Sequence, residues 1–154
     1  MIEIPYTDVA EIKAACGGEF GPFGPQITVT QEKIDAFAEL TGDRQWIHTD
    51  VERAKKESPF GGTVAHGFLV LALVPVLIVG SDVTITGSHG ALNYGADKLR
   101  FVSPVPAGSA VHAKGRLLDA QPKGAGALVK MEVIVYVVGS DKPAMIYEML
   151  ILYM

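Results

Sequence analysis

Val64-Ala65-His66-Gly67-Phe68-Leu69-Val70-Leu71-Ala72-Leu73-Val74-Pro75-Val76-Leu77-Ile78-Val79 is the most apolar stretch of the chain, and its reading decides the architecture. It is shorter than the about 20 residues a helix needs to cross a bilayer, so it is read as a helix of a protein core. Apolar residues lie on every side of it, which predicts that protein encloses it on nearly every face. Pro75 has no amide hydrogen and is expected to kink or shorten the helix.

C-terminal to this stretch, from Asp82 onward, the pattern changes to strands and turns. Ala91–Val102, Ser109–Asp119, Ala127–Val138 and Ala144–Met154 are long candidate strands. Segments rich in Gly and Pro at 104–108, 122–126 and 139–143 separate them. In the third, Val129, Met131, Val133, Val135 and Val137 share one face, with Lys130, Glu132 and Tyr136 on the other. A slip of one residue would turn all of those apolar side chains outward, so the register is expected to be well specified. N-terminal to the apolar stretch, Thr7–Ala15 is expected to be a short helix ended by Gly17-Gly18, and Gln26–Val29 a short strand. Thr30 is placed to cap a helix over Gln31–Leu40, and Asp50 one over Val51–Glu57. Helices followed by a long antiparallel meander predict a curved sheet wrapped around the apolar helix.

The 154 residues fit one domain, 1–154, and 49% hydrophobic residues suffice for a core. A net charge of −4 without clustered Lys and Arg argues against nucleic acid as a partner. Cys16 is the only cysteine, so neither an intramolecular disulfide nor a cysteine-based zinc site is expected. Met1-Ile2-Glu3-Ile4-Pro5 lacks the basic and apolar regions of a secretory signal. A soluble, cytoplasmic protein with no membrane partner is the expectation.

Chemistry concentrates between Ala36 and Leu69. Asp43 and His48 sit five residues apart across a loop between two helices, and a carboxylate and an imidazole brought near one another can share a water, one taking its proton while the other orients it. The same residue types also serve as caps and loop fillers. Gly61-Gly62-Thr63-Val64-Ala65-His66-Gly67 opens the apolar helix. Amides there could stabilise an oxyanion, with Gly67 allowing close approach to the backbone. A glycine-rich turn leading into a crowded helix would look the same.

In order and spacing these stretches resemble the MaoC-like dehydratase family, which includes the R-specific enoyl-coenzyme A hydratases and the nodulation-protein-N-like proteins. The resemblance rests on Gly42-Asp43, Ile47-His48-Thr49-Asp50, Ala54, Phe60-Gly61-Gly62 and Ala65-His66-Gly67. Asn93-Tyr94-Gly95, Arg100-Phe101, Pro104-Val105 and Gly108 extend it. It implies an α+β hot-dog fold, an antiparallel sheet wrapped around a central apolar helix. Asp43 and His48 would be the catalytic pair holding the water, with Asp43 as principal base and then proton donor and His48 polarising the same water. The Gly67 amide would bind the carbonyl of an acyl-coenzyme A thioester. His66 would orient or pack beside it. The resemblance calls for no metal and no redox cofactor, coenzyme A being part of the substrate. A homodimer or higher homo-oligomer is expected because one such domain buries its helix poorly and leaves edge strands to cover, and the resemblance implies an acyl tunnel near the interface. Gln45-Trp46 replaces the Asn-Pro of many hydratases and is closer to the nodulation-protein-N-like branch. Trp46 would either line the acyl pocket or hold the loop by packing.

Two rivals use the same fold, a thioesterase and a non-catalytic acyl-binding or assembly protein. Thioesterases usually carry an acid on the central helix, and Phe68–Val79 contains neither Asp nor Glu. His89 and His112 have no suitable partner nearby in sequence, and His48-Thr49-Asp50 lacks a second His at metal-ligand spacing.

Overall fold

The computed structural model describes residues 2–78 and 83–154, so the expected helix end at Val79 and the start of the strand region at Asp82 lie outside it. The N-terminal half holds β1 (Ile2–Pro5), α1 (Val9–Ala14), β2 (Ile27–Thr28), α2 (Gln31–Thr41), α3 (Trp46–Thr49) and α4 (Val51–Glu57). Then come α5 (Gly67–Ala72), α6 (Val74–Leu77) and β3 (Val83–Thr86), followed by the long strands β4 (Ala91–Phe101), β5 (Ala110–Lys123), β6 (Gly126–Val137) and β7 (Pro143–Tyr153). The expected caps form: Thr30 Oγ1 accepts from the Lys33 amide at 3.3 Å and Asp50 Oδ1 from that of Arg53 at 3.0 Å. Each satisfies a helix amide that has no intrahelical partner. No helix among the described residues is long and apolar enough to cross a membrane.

The apolar stretch departs from expectation in two ways. Helix begins only at Gly67, because Val64 and Ala65 are held extended: the Val64 amide donates to Ile47 O at 3.1 Å and the Ala65 amide to Val105 O at 2.8 Å. Pro75 then divides the rest, with α6 restarting around it. Nor is the helix enclosed on nearly every face within the chain. Leu69, Val70, Val74 and Leu77 are buried, but Phe68 is 65% and Val76 53% exposed. A single sheet covers one side of a helix and leaves the other side uncovered.

The main sheet has the order β2-β5-β6-β7-β4 and is antiparallel throughout. The expected meander therefore holds only from β5 to β7. β4 lies beyond β7, with Leu92 opposite Leu152 and Phe101 opposite Met145. The segment between β4 and β5 does not turn back as a hairpin. Instead it passes the lead-in to α5, where Val105 is buried, Ala107 N donates to Thr63 O at 3.0 Å, and Gly108 N donates to Val29 O at 2.8 Å. β5 runs on to Lys123, so the expected loop shrinks to a turn at Gly124, whose φ of 59° suits glycine. A parallel pair, β1 with β3, was not expected from the sequence.

On β6, Val129, Met131, Val133 and Val135 are buried, as the alternation predicts. Met131, Val133 and Val135 meet residues of α5 and α6 together with Val111, Ala113, Met145 and Met149 in the main core, while Val129 packs in a second cluster with Ile4, Ile12 and Leu117. Each such side chain contributes about 1.5–3 kcal/mol on burial. This packing is the hot-dog arrangement of a sheet around an apolar helix. The free edge of β5 is covered by residues 17–24, whose amides at Gly17, Gly21 and Gly24 donate to Leu117, Gly115 and Ala113 carbonyls. β4, at the opposite edge, is exposed along most of its length.

Leu77, fully buried, is expected to lose about 2–5 kcal/mol of stability on Leu77→Ala. Leu40→Ala, at a side chain 82% exposed, is expected to change stability by about 0.5 kcal/mol or less. Urea unfolding of the two variants beside the wild type checks both values.

Candidate active site

α2 ends at Gly42, whose φ of 80° turns the chain sharply, and the loop 43–45 leads into the single turn of α3. Arg44 is tied back to Glu39 by two hydrogen bonds, Nε to Oε1 at 2.8 Å and Nη2 to Oε2 at 2.7 Å. Those bonds hold the Glu39 carboxyl below the usual carboxylate range and engage the guanidinium away from the adjacent Asp43. Asp43 itself is exposed, its Oδ1 accepting from the Gln45 amide at a long 3.4 Å.

His48 is 8% exposed, and its Nδ1 lies 2.7 Å from the carbonyl oxygen of Val64. A carbonyl can only accept, so Nδ1 carries the hydrogen and a neutral ring presents the Nε2 lone pair. His66, 3% exposed, uses Nε2 in the same way, donating to the backbone oxygen of Asp43 at 2.9 Å. Its Nδ1 is buried without a hydrogen-bond partner among the described residues. The two imidazoles stack with centroids 3.9 Å apart and planes 25° from parallel, and Phe37 packs on His66 at 5.0 Å. The carboxylate of Asp43 and one nitrogen of each imidazole lie within 4.8 Å of one another.

That trio is the cluster a metal would use, but its geometry does not suit one. Ligands around zinc at about 2.0–2.1 Å must aim their lone pairs at a common point. Stacked rings aim theirs side by side.

Beside the trio, Gly67 opens α5. The first helix amide to donate backward is that of Leu69, to His66 O at 3.1 Å, so the amides of Gly67 and Phe68 stand ahead of the ladder. The ring of Phe101 lies directly over Gly67, where an added Cβ would come within 2.9 Å of it. Both line an apolar cleft of about 370 Å³ with Ile47, Phe60, Val64 and Val102. Trp46 does not face this cleft. Its ring lies under the Arg53 guanidinium at 4.3 Å, and Arg53 in turn bonds Glu57 at 2.8 Å, tying α3 to α4.

Sequence reasoning therefore named Asp43, His48, His66 and Gly67, and the fold brings these four together. His112 lies elsewhere, stacked on Phe23 at 3.9 Å. Gln31 and Thr63 were missed: Gln31 bonds His48 O and Thr63 at once. No local motif could have revealed them, because these contacts join segments far apart in the chain.

Residues 18–138 match the MaoC like domain, and the chain belongs to that family. It is 43% identical over 149 residues to 3-hydroxyacyl-thioester dehydratase Z of Mycobacterium tuberculosis, covering 96% of this chain and 97% of the relative. Identity to Nodulation protein N of Rhizobium leguminosarum bv. viciae is also 43%, over 89% of this chain and 85% of the relative. Among solved structures it resembles unliganded R-Hydratase PhaJ1 from Pseudomonas aeruginosa, with a TM-score of 0.69, 25% identity, and coverage of 92% and 85% of the two chains. The protein is an enzyme of the hydratase/dehydratase kind on the nodulation-protein-N-like branch of the family.

Zinc titrated into the protein is expected to give no one-to-one binding isotherm in the micromolar range. A stoichiometric isotherm lost in His48→Ala and His66→Ala would show that the two rings unstack to ligate.

Proposed function

We propose that the protein adds water across the double bond of a trans-2-enoyl thioester, giving the R-3-hydroxyacyl thioester, and catalyses the reverse dehydration at the same site. The reading rests above all on the clustering of Asp43, His48 and His66 within 4.8 Å of one another, next in sequence to Gly67, which lines the apolar cleft. The water sits between the Asp43 carboxylate and His48 Nε2. Asp43 takes one proton as the oxygen forms its bond to the β-carbon, and the same proton then passes to the α-carbon. His48 polarises the water through its Nε2 lone pair, a role fixed by the bond from Nδ1 to Val64 O. The Gly67 amide binds the thioester carbonyl and stabilises the enolate that forms as the β-carbon is attacked. His66 holds the Asp43 loop through its backbone carbonyl. Neither metal nor redox cofactor enters this chemistry. The relatives' names support the substrate class, one being a 3-hydroxyacyl-thioester dehydratase and another an R-hydratase.

The working unit in this reading is a homodimer whose sheets join along β4. That edge carries the exposed side chains Leu92, Tyr94 and Phe101, and the uncovered Phe68 of α5 packs edge-on against Phe101 at 5.9 Å. A second copy would pair the edge and close the cleft.

With crotonyl-coenzyme A, loss of the conjugated enoyl absorbance is expected for the wild type. Asp43→Asn and His48→Ala should each fall by about 10²-fold or more. Absence of turnover on short, medium and long enoyl chains would refute the proposal. For the assembly, sedimentation should give a dimer for the wild type, and Leu92→Glu should shift it toward monomer.

A further inference from the structure

We infer that Gln31 is a positioning residue for His48, an inference that rests on the hydratase reading above. Gln31 is the first residue of α2 and is half-buried. Its Nε2 donates to the backbone oxygen of His48 at 2.7 Å and to Asp35 Oδ1 at 2.9 Å, while its Oε1 accepts from the buried Thr63 hydroxyl at 2.6 Å. Both amide hydrogens and the oxygen are thus in use. The amide cannot be flipped without setting its oxygen against the His48 carbonyl and the Asp35 carboxylate.

His48 is consequently fixed at two points. Gln31 holds its backbone carbonyl, and Val64 holds its ring at Nδ1. Thr63 immediately precedes Val64, so a single side chain joins the loop carrying His48 to the strand that accepts from its ring. The direction of the Nε2 lone pair depends on both attachments, and displacements of about 1 Å at a catalytic group cost about 10²-fold in rate. Gln31 touches neither the water nor the thioester in this scheme, so its loss should lower kcat and leave binding nearly intact.

A carboxylate at position 31 supplies a second signature. The charged or titratable groups facing it are Asp35 on its own helix, His48 on α3 and Lys55 across the neighbouring cleft, the last paired with Glu52 at 3.0 Å. Ionised, a Glu side chain would oppose the His48 carbonyl and Asp35. Protonated, it could donate to the His48 carbonyl while accepting from Thr63. The activity of Gln31→Glu relative to wild type should therefore rise as pH falls.

The test assays wild type, Gln31→Leu and Gln31→Glu on crotonyl-coenzyme A across pH, with thermal unfolding and ring ¹⁵N shifts of His48. The inference predicts a kcat for Gln31→Leu lower by about tenfold or more, with KM within about threefold. It also predicts a Gln31→Glu to wild-type ratio that climbs toward low pH. An unchanged kcat in Gln31→Leu, or a flat ratio, overturns the inference and leaves the hydratase reading standing. If the wild type turns over no enoyl thioester, the hydratase reading fails and the ring shifts decide. A His48 tautomer mixture in Gln31→Leu against a single Nδ1–H form in wild type supports positioning, and identical shifts overturn it.

Discussion

The hydrogen bond from His48 Nδ1 to the carbonyl of Val64 ties the two segments that build the site to each other at a ring nitrogen. One is the segment after α2, which carries Asp43 in its loop and His48 in α3. The other is the extended lead-in to the apolar helix, which carries His66 and ends at Gly67. Backbone bonds reinforce the junction, with Val64 N donating to Ile47 O and Ala65 N to Val105 O. The site follows from this join. Holding Nδ1 against a carbonyl leaves Nε2 as the free lone pair, and holding Val64 extended delays the helix until Gly67, which leaves that residue's amide ahead of the helical ladder.

The join has costs that a purely structural segment would not retain. His66 keeps a buried Nδ1 without a hydrogen-bond partner among the described residues, a loss of about 1–3 kcal/mol by ordinary accounting. Phe101 lies against Gly67 so closely that no larger residue fits there without displacing the ring. The sheet buries one stripe of α5 and α6 and leaves Phe68 and Val76 open. Gly67 and Phe101 line the cleft, and His66 immediately precedes Gly67.

Local chemistry was readable from the sequence, and distant pairing was not. The caps at Thr30 and Asp50 act within a single turn, and the alternation along β6 is a property of consecutive residues, so both were legible. The place of β4 beyond β7 was not, because it depends on where the segment around Val105 travels rather than on any pattern within the strand. The pairing of Ile2–Pro5 with Val83–Thr86 was hidden for the same reason. At the site, Asp43, His48, His66 and Gly67 were recognisable by order and spacing. The stacking of the two imidazoles, the turning of Trp46 toward Arg53, and the bridge through Gln31 and Thr63 are three-dimensional facts with no local signature.

The central claim is that the water held by Asp43 and His48 is delivered to the β-carbon of the acyl chain. Incubating the enzyme with crotonyl-coenzyme A in ¹⁸O-labelled water, followed by mass spectrometry of the products, tests this most directly. The account predicts an intact thioester with the label in the 3-hydroxyl group. Label in a free carboxylate, with release of coenzyme A, would contradict it and identify a thioesterase instead.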